Sequence, residues 1–327
     1  MRPLAVIRRE LANPRGAALV AGRVAADGLA LRRLIHANSV ALVHSNTSVV
    51  LGGAAAAAIA RIPHVWHVRE IYSRFGRLWP AHRRLLGTAA ALPCVSHATA
   101  SQFGPAIRAD LARVQVVYDG LAATVARAPR QAARSALDLP DDPPVIAVLG
   151  RLSDWKGQDV LVRALALRPL SDVGAIGLVA GEPWPGAERR GDRIKELAEQ
   201  LGVRDRVRFV GFREDLANVY GAADLVAVPS TEPDPLPGAA IEAAAAGCAV
   251  IASASGGLIE ILRDRETGRL VAPGDPDALA RAARELIDDA DARARLGAAA
   301  AADATSRFSA QRLLDEIQAL YDAVLDR

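Results

Sequence analysis

The sequence contains few aromatic residues, little sulfur and almost no lysine. Phe, Trp and Tyr make up 4% of the 327 residues, and the chain has one methionine and two cysteines. Cys94 and Cys248 lie far apart in the sequence, so we expect no disulfide framework and a reducing, cytoplasmic environment. Only two of the 40 basic residues are lysines, Lys156 and Lys195. A lysine within a candidate site therefore stands out against the arginines.

Long apolar runs and metal-binding patterns are also missing. The most apolar windows, residues 51–60 and 238–255, are alanine-rich and broken by glycine or glutamate, so neither is typical of a membrane span. The basic N-terminus has no apolar signal-peptide core. All six histidines precede residue 98 without metal-ligand spacing, and the Asp-x-Asp at 275–277 falls in a predicted surface turn. We therefore predict no metal site and no cofactor.

Positive charge is concentrated in the first part of the chain. The net charge is +3, but residues 1–120 contain 15 arginines and 5 acidic residues, against 25 basic and 32 acidic residues in the rest. The excess of arginine creates a positive electrostatic field around this part of the chain, and such a field suits nucleic acid or an anionic membrane as partner. Because no RNA-binding signature, paired zinc ligands or basic helix with interleaved aromatics occurs, we expect no nucleic-acid partner. We favour peripheral contact with an anionic membrane, or a phosphorylated acceptor.

Two series of alternating strands and helices indicate an α/β protein with parallel sheets. The first series predicts strands at 41–46, 64–69, 92–97 and 114–119, with helices at 16–36, 49–60, 80–91 and 98–112. A linker is predicted at 121–144. The second series predicts strands at 145–149, 175–180, 207–210, 225–228 and 249–252, with helices at 158–166, 192–201, 215–221 and 258–263. Helices over 277–304 and 308–325 follow. Ligands of doubly wound sheets bind outside the carboxyl ends of the strands.

The stretch 229–247 is the centre of the candidate site. A strand-like run leads into a loop with three prolines and two acids, then into a run of helix formers that Gly247 can end in the left-handed conformation. Pro237 suits the first helical turn, and the helix N-terminus that it opens is an anion site between Asp234 and Glu242. This combination suits a ligand with phosphate and sugar hydroxyls. Alternatively, the acids only cap the helix and favour its dipole.

Two further loops follow strands of the same series. The loop after 145–149 carries Arg151 and Lys156, and arginine can hold a diphosphate in a bidentate fork while lysine acts as a point charge. A solvated loop is the alternative. After 249–252, Gly256 and Gly257 let backbone N–H groups approach a ligand, although paired glycines also make ordinary turns. Parallel strands bring all three loops to one edge of the sheet.

At these residues the sequence resembles the retaining, nucleotide-sugar-dependent glycosyltransferases of family 4, which have the GT-B fold. The resemblance covers nearly all of the second half. Besides the acids at 234 and 242, it rests on residues 150–152 (GRL), 156–159 (KGQD), 209–212 (FVGF), 222–224 (AAD) with 229–230 (PS), 256–260 (GGLIE), 266–268 (ETG) and 271–274 (VAPG).

The resemblance implies two Rossmann-like, doubly wound parallel-sheet domains facing a cleft. Residues 1–122 would form the acceptor-side domain and 123–304 the nucleotide-sugar domain, while 305–327 would form a helix that packs back towards the N-terminal domain. The implied reaction transfers a hexose from a nucleotide diphosphate sugar to a lipid-linked or polysaccharide acceptor, with retention and without a metal. The implied place is the cytoplasm, at the inner membrane face.

The resemblance also assigns roles to residues. Arg151 and Lys156 would bind the donor diphosphate, and Glu242 would accept hydrogen bonds from the ribose. Asp234 and His67 would be the catalytic residues beside the transferred sugar. Backbone N–H groups around Leu236, Gly238 and Ala239 would complete the phosphate and sugar contacts.

Three departures from the family pattern accompany these matches. The first acid is Asp234 instead of glutamate, with Glu232 two residues before it, and Pro237 removes one backbone donor. The chain passes from residues 1–7 directly into a helix, without the family's opening strand and glycine-rich loop, so a truncated N-terminal domain is expected. Two alternative functions stay open: a catalytically weak GT-B-like protein that binds nucleotide sugar, and a nucleotide-sugar epimerase.

Overall fold

The computed structural model describes residues 4, 6, 14–72, 76, 79–104, 114–121 and 125–326. The chain divides into two compact units. Unit 1 comprises residues 1–119 and 311–327, and unit 2 comprises residues 120–310. None of the described helices is both long and apolar enough to cross a membrane.

Unit 1 contains short parallel strands between helices. In chain order its elements are α1 (Pro14–Ala37), β1 (Val43–Ser45), α2 (Gly52–Ala60), β2 (His64–Trp66), α3 (Trp79–Leu86), β3 (Leu92–Cys94), α4 (His97–Ser101) and β4 (Val114–Val116). Strands β1 and β2 pair in parallel, as do β3 and β4, and isolated parallel bridges join β2 to the region of β3. Trp66, Leu86 and Phe103 are fully buried in its core.

Unit 2 contains a six-stranded parallel sheet. Its elements are α5 (Arg130–Ala136), β5 (Val145–Leu149), α6 (Gln158–Ala166), α7 (Arg168–Ser171), β6 (Ile176–Ala180), α8 (Arg189–Gln200), β7 (Val207–Gly211), α9 (Leu216–Ala222), β8 (Leu225–Val228), α10 (Gly238–Ala245), β9 (Ala249–Ser253), α11 (Leu258–Ile261), β10 (Arg269–Val271), α12 (Pro276–Asp288) and α13 (Ala290–Arg307). The strand order is β10-β9-β8-β5-β6-β7. The last helix, α14 (Ala310–Leu325), belongs almost wholly to unit 1.

The central strands of this sheet are apolar along their whole length because helices cover them. All five residues of β5 are buried, as expected of parallel strands with both faces covered. Helix α6 packs against α8 and α12, and α10 packs against α13. Gly177 in β6 lets α6 lie close to the sheet, since a Cβ there would lie 2.7 Å from Leu165 Cδ1. The predicted parallel α/β sheets are therefore confirmed.

The predicted linker at 121–144 is partly wrong. It contains α5, which packs against α9, and the fully buried Arg134 fixes the segment that follows. The Arg134 guanidinium pairs with Asp224 at 2.7 Å and donates to the carbonyls of Pro140, Asp141 and Pro143. The composition of residues 121–144 suggested a solvated segment. The buried Arg134 instead holds this segment in place through its hydrogen bonds to the backbone and its ion pair with Asp224.

Other helix and strand boundaries predicted from the sequence also differ from those in the structure. The predicted single helix over 277–304 is two helices, because the Asp289 side chain accepts a hydrogen bond from the Ala292 N–H and caps α13. Strand β10 was not predicted. Helix α4 covers only the start of the predicted helix 98–112, and residues 105–113 lie outside the described residues, as does most of the opening segment 1–7.

Candidate functional site

A cavity of about 670 Å³ lies at the carboxyl ends of β5, β6 and β7 in unit 2. Gly150 and Arg151 line it after β5, residues 181–183 after β6, and Phe212 after β7, while Ala239 and Glu242 reach it from α10. This is the edge at which ligands of doubly wound sheets bind. The structure therefore brings Arg151, Ala239 and Glu242, three of the predicted donor-binding residues, to one cavity.

Glycines allow the first two loops of the cavity to touch. Gly150 and Gly181 have φ angles of 130° and 145°, and a Cβ on Gly181 would lie 2.0 Å from the Gly150 carbonyl oxygen. The Leu152 N–H donates to the Glu182 carbonyl at 3.1 Å. The cavity wall at Arg151 is therefore fixed by backbone contacts on both sides.

The Arg151 guanidinium stacks on an aromatic ring. Its central carbon lies 3.4 Å from the centre of the Trp184 ring, and partial burial lowers the pKa of Arg151. Within the described ranges, no carboxylate pairs with Arg151. Trp184 was not among the residues predicted from the sequence. Its only signal was a tryptophan in an exposed Pro-Trp-Pro-Gly turn directly after a strand.

Lys156 and Asp234 form an ion pair. Lys156 Nζ lies 2.6 Å from Asp234 Oδ2, and the Asp234 residue is only 4% exposed. The Ser230 hydroxyl donates to the same oxygen at 3.5 Å. Lys156 Nζ also lies 4.3 Å from the centre of the Trp155 ring. The two residues predicted for diphosphate and sugar therefore contact each other, and the lysine charge is neutralised within the protein.

The glycines near this pair serve the packing of loops. A Cβ on Gly157 would lie 1.9 Å from the Pro229 carbonyl oxygen, and one on Gly256 would lie 2.4 Å from the Asp234 carbonyl oxygen. The Gly257 N–H donates to that same Asp234 carbonyl at 2.7 Å. The expected approach of Gly257 N–H to a ligand is thus replaced by a bond to the chain itself. These contacts fix the backbone of Asp234.

Helix α10 begins after Pro237, and its N-terminus carries the remaining predicted donor contacts. Leu236 is buried, Gly238 opens the helix, and Gly247 follows it with a φ of 72°, as predicted. The Tyr220 hydroxyl donates to Glu242 Oε2 at 3.1 Å. Burial raises the pKa of Glu242, although the Tyr220 hydrogen bond opposes this shift. Glu242 is thus a partly buried carboxylate with one fixed donor.

His67 lies in unit 1 and is buried. Burial, together with the neighbouring His44 and Arg69, lowers the pKa of His67 to about 4. The rings of His44 and His67 stack with their centres 5.5 Å apart, and His44 Nδ1 lies 2.6 Å from the Tyr321 hydroxyl. His67 Nε2 is buried without a hydrogen-bond partner. At neutral pH His67 is therefore an uncharged imidazole.

No group of three or more His, Cys, Asp or Glu residues is arranged to hold a metal ion in the part of the chain that the structure describes. Cys94 and Cys248 are both buried and unpaired, and burial raises the pKa of the Cys248 thiol to about 11.

Comparison with protein families gives two matches that together cover most of the chain. The family described as "Glycosyl transferases group 1" matches residues 129–303, and "Glycosyltransferase Family 4" matches residues 4–124. The D-inositol 3-phosphate glycosyltransferases of Mycobacterium marinum and Mycolicibacterium smegmatis are 38% and 36% identical over 218 and 220 residues. These alignments cover 65% and 66% of this chain but 46% and 49% of the relatives. The chain thus spans about half the length of the curated relatives it matches.

Solved structures show the same fold. Anabaena HepE in complex with UDP-glucose superposes with a TM-score of 0.81 and 27% identity, over 92% of this chain and 82% of that one. The sucrose-phosphate synthase of Thermosynechococcus elongatus gives a TM-score of 0.77 and 26% identity, over 91% and 77%. The predicted GT-B fold is confirmed.

Proposed function

Since the chain belongs to the glycosyl transferases of group 1, we propose that it transfers a hexose from a nucleotide diphosphate sugar to a lipid-linked or polysaccharide acceptor. The transfer proceeds with retention of configuration and without a metal. The solved complex of HepE with UDP-glucose supports a nucleotide-sugar donor, and the relatives named D-inositol 3-phosphate glycosyltransferases support a phosphorylated acceptor with hydroxyl groups.

One observation carries this proposal: the cavity in unit 2 joins a cation, a helix N-terminus and a carboxylate. Arg151 and the first N–H groups of α10, those of Gly238 and Ala239, suit the two phosphates. The Glu242 carboxylate suits the ribose hydroxyls, which are hydrogen-bond donors. A nucleoside diphosphate carries both kinds of group, phosphate anions and ribose hydroxyls.

For the transferred sugar, the family resemblance proposes roles for Asp234 and for His67. Asp234 Oδ2 is bonded to Lys156 and Ser230, which leaves Oδ1 as the oxygen for a sugar hydroxyl. The role of His67 rests on the family resemblance, and its neutral ring with an unpartnered Nε2 suits a hydrogen bond with a hydroxyl group.

Bond cleavage between the sugar and the diphosphate places negative charge on the leaving phosphate. Arg151, Lys156 and the N-terminal N–H groups of α10 would stabilise that charge, because preorganised donors are most effective where charge develops. In the same-face substitution that we propose, the leaving phosphate helps to deprotonate the acceptor hydroxyl.

Nucleotide binding is the first test. UDP or GDP should raise the melting temperature of the wild-type protein, and Lys156→Ala or Glu242→Ala should abolish the increase. Lys195→Ala is the matched control, because Lys195 is exposed on α8 and its amine lies beside the Phe209 ring, 5.9 Å from the ring centre, instead of pairing with Asp234. If no nucleoside diphosphate shifts the wild-type melting temperature, the donor site is wrongly assigned. Mass spectrometry with a panel of nucleotide sugars and membrane extract as acceptor then tests transfer.

Contact with an anionic membrane would involve α1. Leu19, Leu29 and Leu34 are exposed on this helix, Arg23 and Arg33 are exposed beside them, and its one acid, Asp27, is buried. Exposed leucines among arginines suit the interface of an anionic bilayer. We expect sedimentation with phosphatidylglycerol vesicles, lost in Arg23→Glu/Arg33→Glu. Equal binding by this variant would contradict the assignment of α1.

A further inference from the structure

Trp184 is 55% exposed, yet its ring has a defined neighbour. The turn that carries it is held by a hydrogen bond from the Ala187 N–H to the Trp184 carbonyl at 2.8 Å. Pro183 and Pro185 flank the residue and restrict the backbone. The Arg151 guanidinium covers the ring face at 3.4 Å. The tryptophan is therefore placed by its turn, and the Arg151 side chain lies against its ring.

The other cations near the cavity are held differently. Lys156 is paired with Asp234 at 2.6 Å, and Arg213, which lines the cavity, is paired with both oxygens of Asp215 at 2.7 and 2.5 Å. Arg151 also lines the cavity but has no carboxylate partner within the described residues. Of these three cations, Arg151 is therefore the one whose charge no carboxylate of the described residues neutralises.

Stacking differs from ion pairing in its effect on the guanidinium. The N–H groups of arginine lie in the guanidinium plane, whereas a ring face contacts the plane from above. A carboxylate partner would occupy two of those N–H groups and cancel the charge. The Trp184 ring restricts the position of the guanidinium and leaves its in-plane donors open to an anion that binds in a bidentate manner.

We propose that Trp184 is a positioning residue that holds Arg151 for the diphosphate of the donor. This inference rests on the proposed function, because it assumes that a nucleoside diphosphate binds in this cavity. Trp184 acts through Arg151 and does not itself contact the nucleotide. It sets the donor affinity by fixing, before the ligand arrives, the orientation of the one open cation.

The test is a titration of the full chain with UDP and with GDP by isothermal calorimetry. Arg151→Ala should weaken binding at least about tenfold, as expected for a lost charge-assisted contact. Trp184→Ala should weaken it about two- to fivefold, the range of a cation–π contact at an exposed site. Trp184→Phe, which keeps a ring face, should bind within about twofold of wild type. Because Trp184 is exposed, these variants should keep the wild-type melting temperature.

The double variant Arg151→Ala/Trp184→Ala separates positioning from direct contact. If Trp184 acts through Arg151, the double variant binds UDP as weakly as Arg151→Ala alone. Additive losses, or a loss for UDP that differs from the loss for GDP, would mean that the ring contacts the base and would overturn the inference. Wild-type affinity for UDP in Trp184→Ala would overturn the inference as well, because the stack of Arg151 on Trp184 would then be a surface contact only.

A matched control removes another stacked arginine of the same unit. The Arg204 guanidinium lies 5.6 Å from the centre of the Phe209 ring and does not line the cavity. Arg204→Ala should therefore leave the affinity for UDP unchanged. If the wild-type chain binds neither UDP nor GDP, the proposed function fails first. If it binds and only the Trp184 variants behave as wild type, the positioning role alone fails.

Discussion

Lys156→Met leaves the Asp234 carboxylate in a buried position without its partner. The Asp234 side chain is 6% exposed, that of Lys156 is 23% exposed, and the ion pair measures 2.6 Å. After the substitution only the Ser230 hydroxyl, at 3.5 Å, still faces the charged oxygen. We therefore expect a loss of stability as well as a loss of nucleotide binding.

The size of that loss follows from the burial of the pair. Removal of one partner of a buried pair costs about 3–5 kcal/mol, and the partial exposure of Lys156 reduces this figure. A decrease of about 2–4 kcal/mol in the free energy of unfolding follows.

Urea denaturation and calorimetry at pH 7.5 would measure this decrease. Lys156→Met/Asp234→Asn should recover most of the stability at pH 7.5, and Lys195→Met, at an exposed position, should change it by less than about 0.5 kcal/mol. If Lys156→Met is as stable as wild type, Asp234 is not a buried charge that depends on Lys156.

Three further predictions concern stability. Burial raises the pKa of Glu242, so its charged form is penalised in the folded protein, and Glu242→Gln should stabilise the ligand-free protein at pH 8 while it weakens UDP binding. Equal stability of both proteins in urea would contradict this. Gly257→Ala places a Cβ 2.1 Å from the Pro235 carbonyl oxygen and should cost about 2 kcal/mol. Its control Gly22→Ala, within α1 and with no atom in reach, should gain about 0.5–1 kcal/mol, so similar melting temperatures for both would refute the packing argument. His64 and His67 both have a pKa lowered to about 4, so the unfolded chain takes up protons between pH 6.5 and 4 that the folded chain does not, and stability falls as the pH falls through that window. His67→Asn should reduce the slope of stability against pH by about 1.4 kcal/mol per unit, and an unchanged slope would mean that His67 is charged in the folded protein.

The sequence predicted the parts of unit 2 that depend on local pattern. Runs such as residues 145–149 are apolar because both faces of the sheet are covered, and the turn residues after them mark the strand ends. Parallel topology then requires the loops with Arg151, Asp234 and Glu242 to reach one edge. Family resemblance assigned the roles, which stay predictions until nucleotide binding is measured.

The remaining features depend on contacts that sequence spacing does not encode. Lys156 and Asp234 are 78 residues apart, and each suits a ligand as well as it suits the other. The Trp184 ring meets Arg151 only because Gly181 allows its loop to lie against Gly150. Paired glycines at 256 and 257 predict that other atoms approach the backbone closely, but not whether those atoms belong to a ligand or to the protein. In this chain the Asp234 loop is what lies against the two glycines.

The charges around the cavity restrict how a donor can lie in it. Among the cavity residues, Glu182 follows β6, Glu214 follows β7 and Glu242 lies on α10, while the unneutralised cation Arg151 follows β5. Since β8 and β6 flank β5 in the sheet, Arg151 stands between α10 and the acidic loops. A diphosphate is repelled by the acids after β6 and β7, so we expect it over β5 and the start of α10. With the ribose hydroxyls at Glu242, the base, whose N–H groups are donors, then points towards the acidic loops after β6 and β7. Glu214→Gln or Glu182→Gln should therefore weaken nucleoside recognition more than phosphate recognition, with a larger loss for UDP than for pyrophosphate; an equal loss for both would place the phosphates at the acidic loops instead.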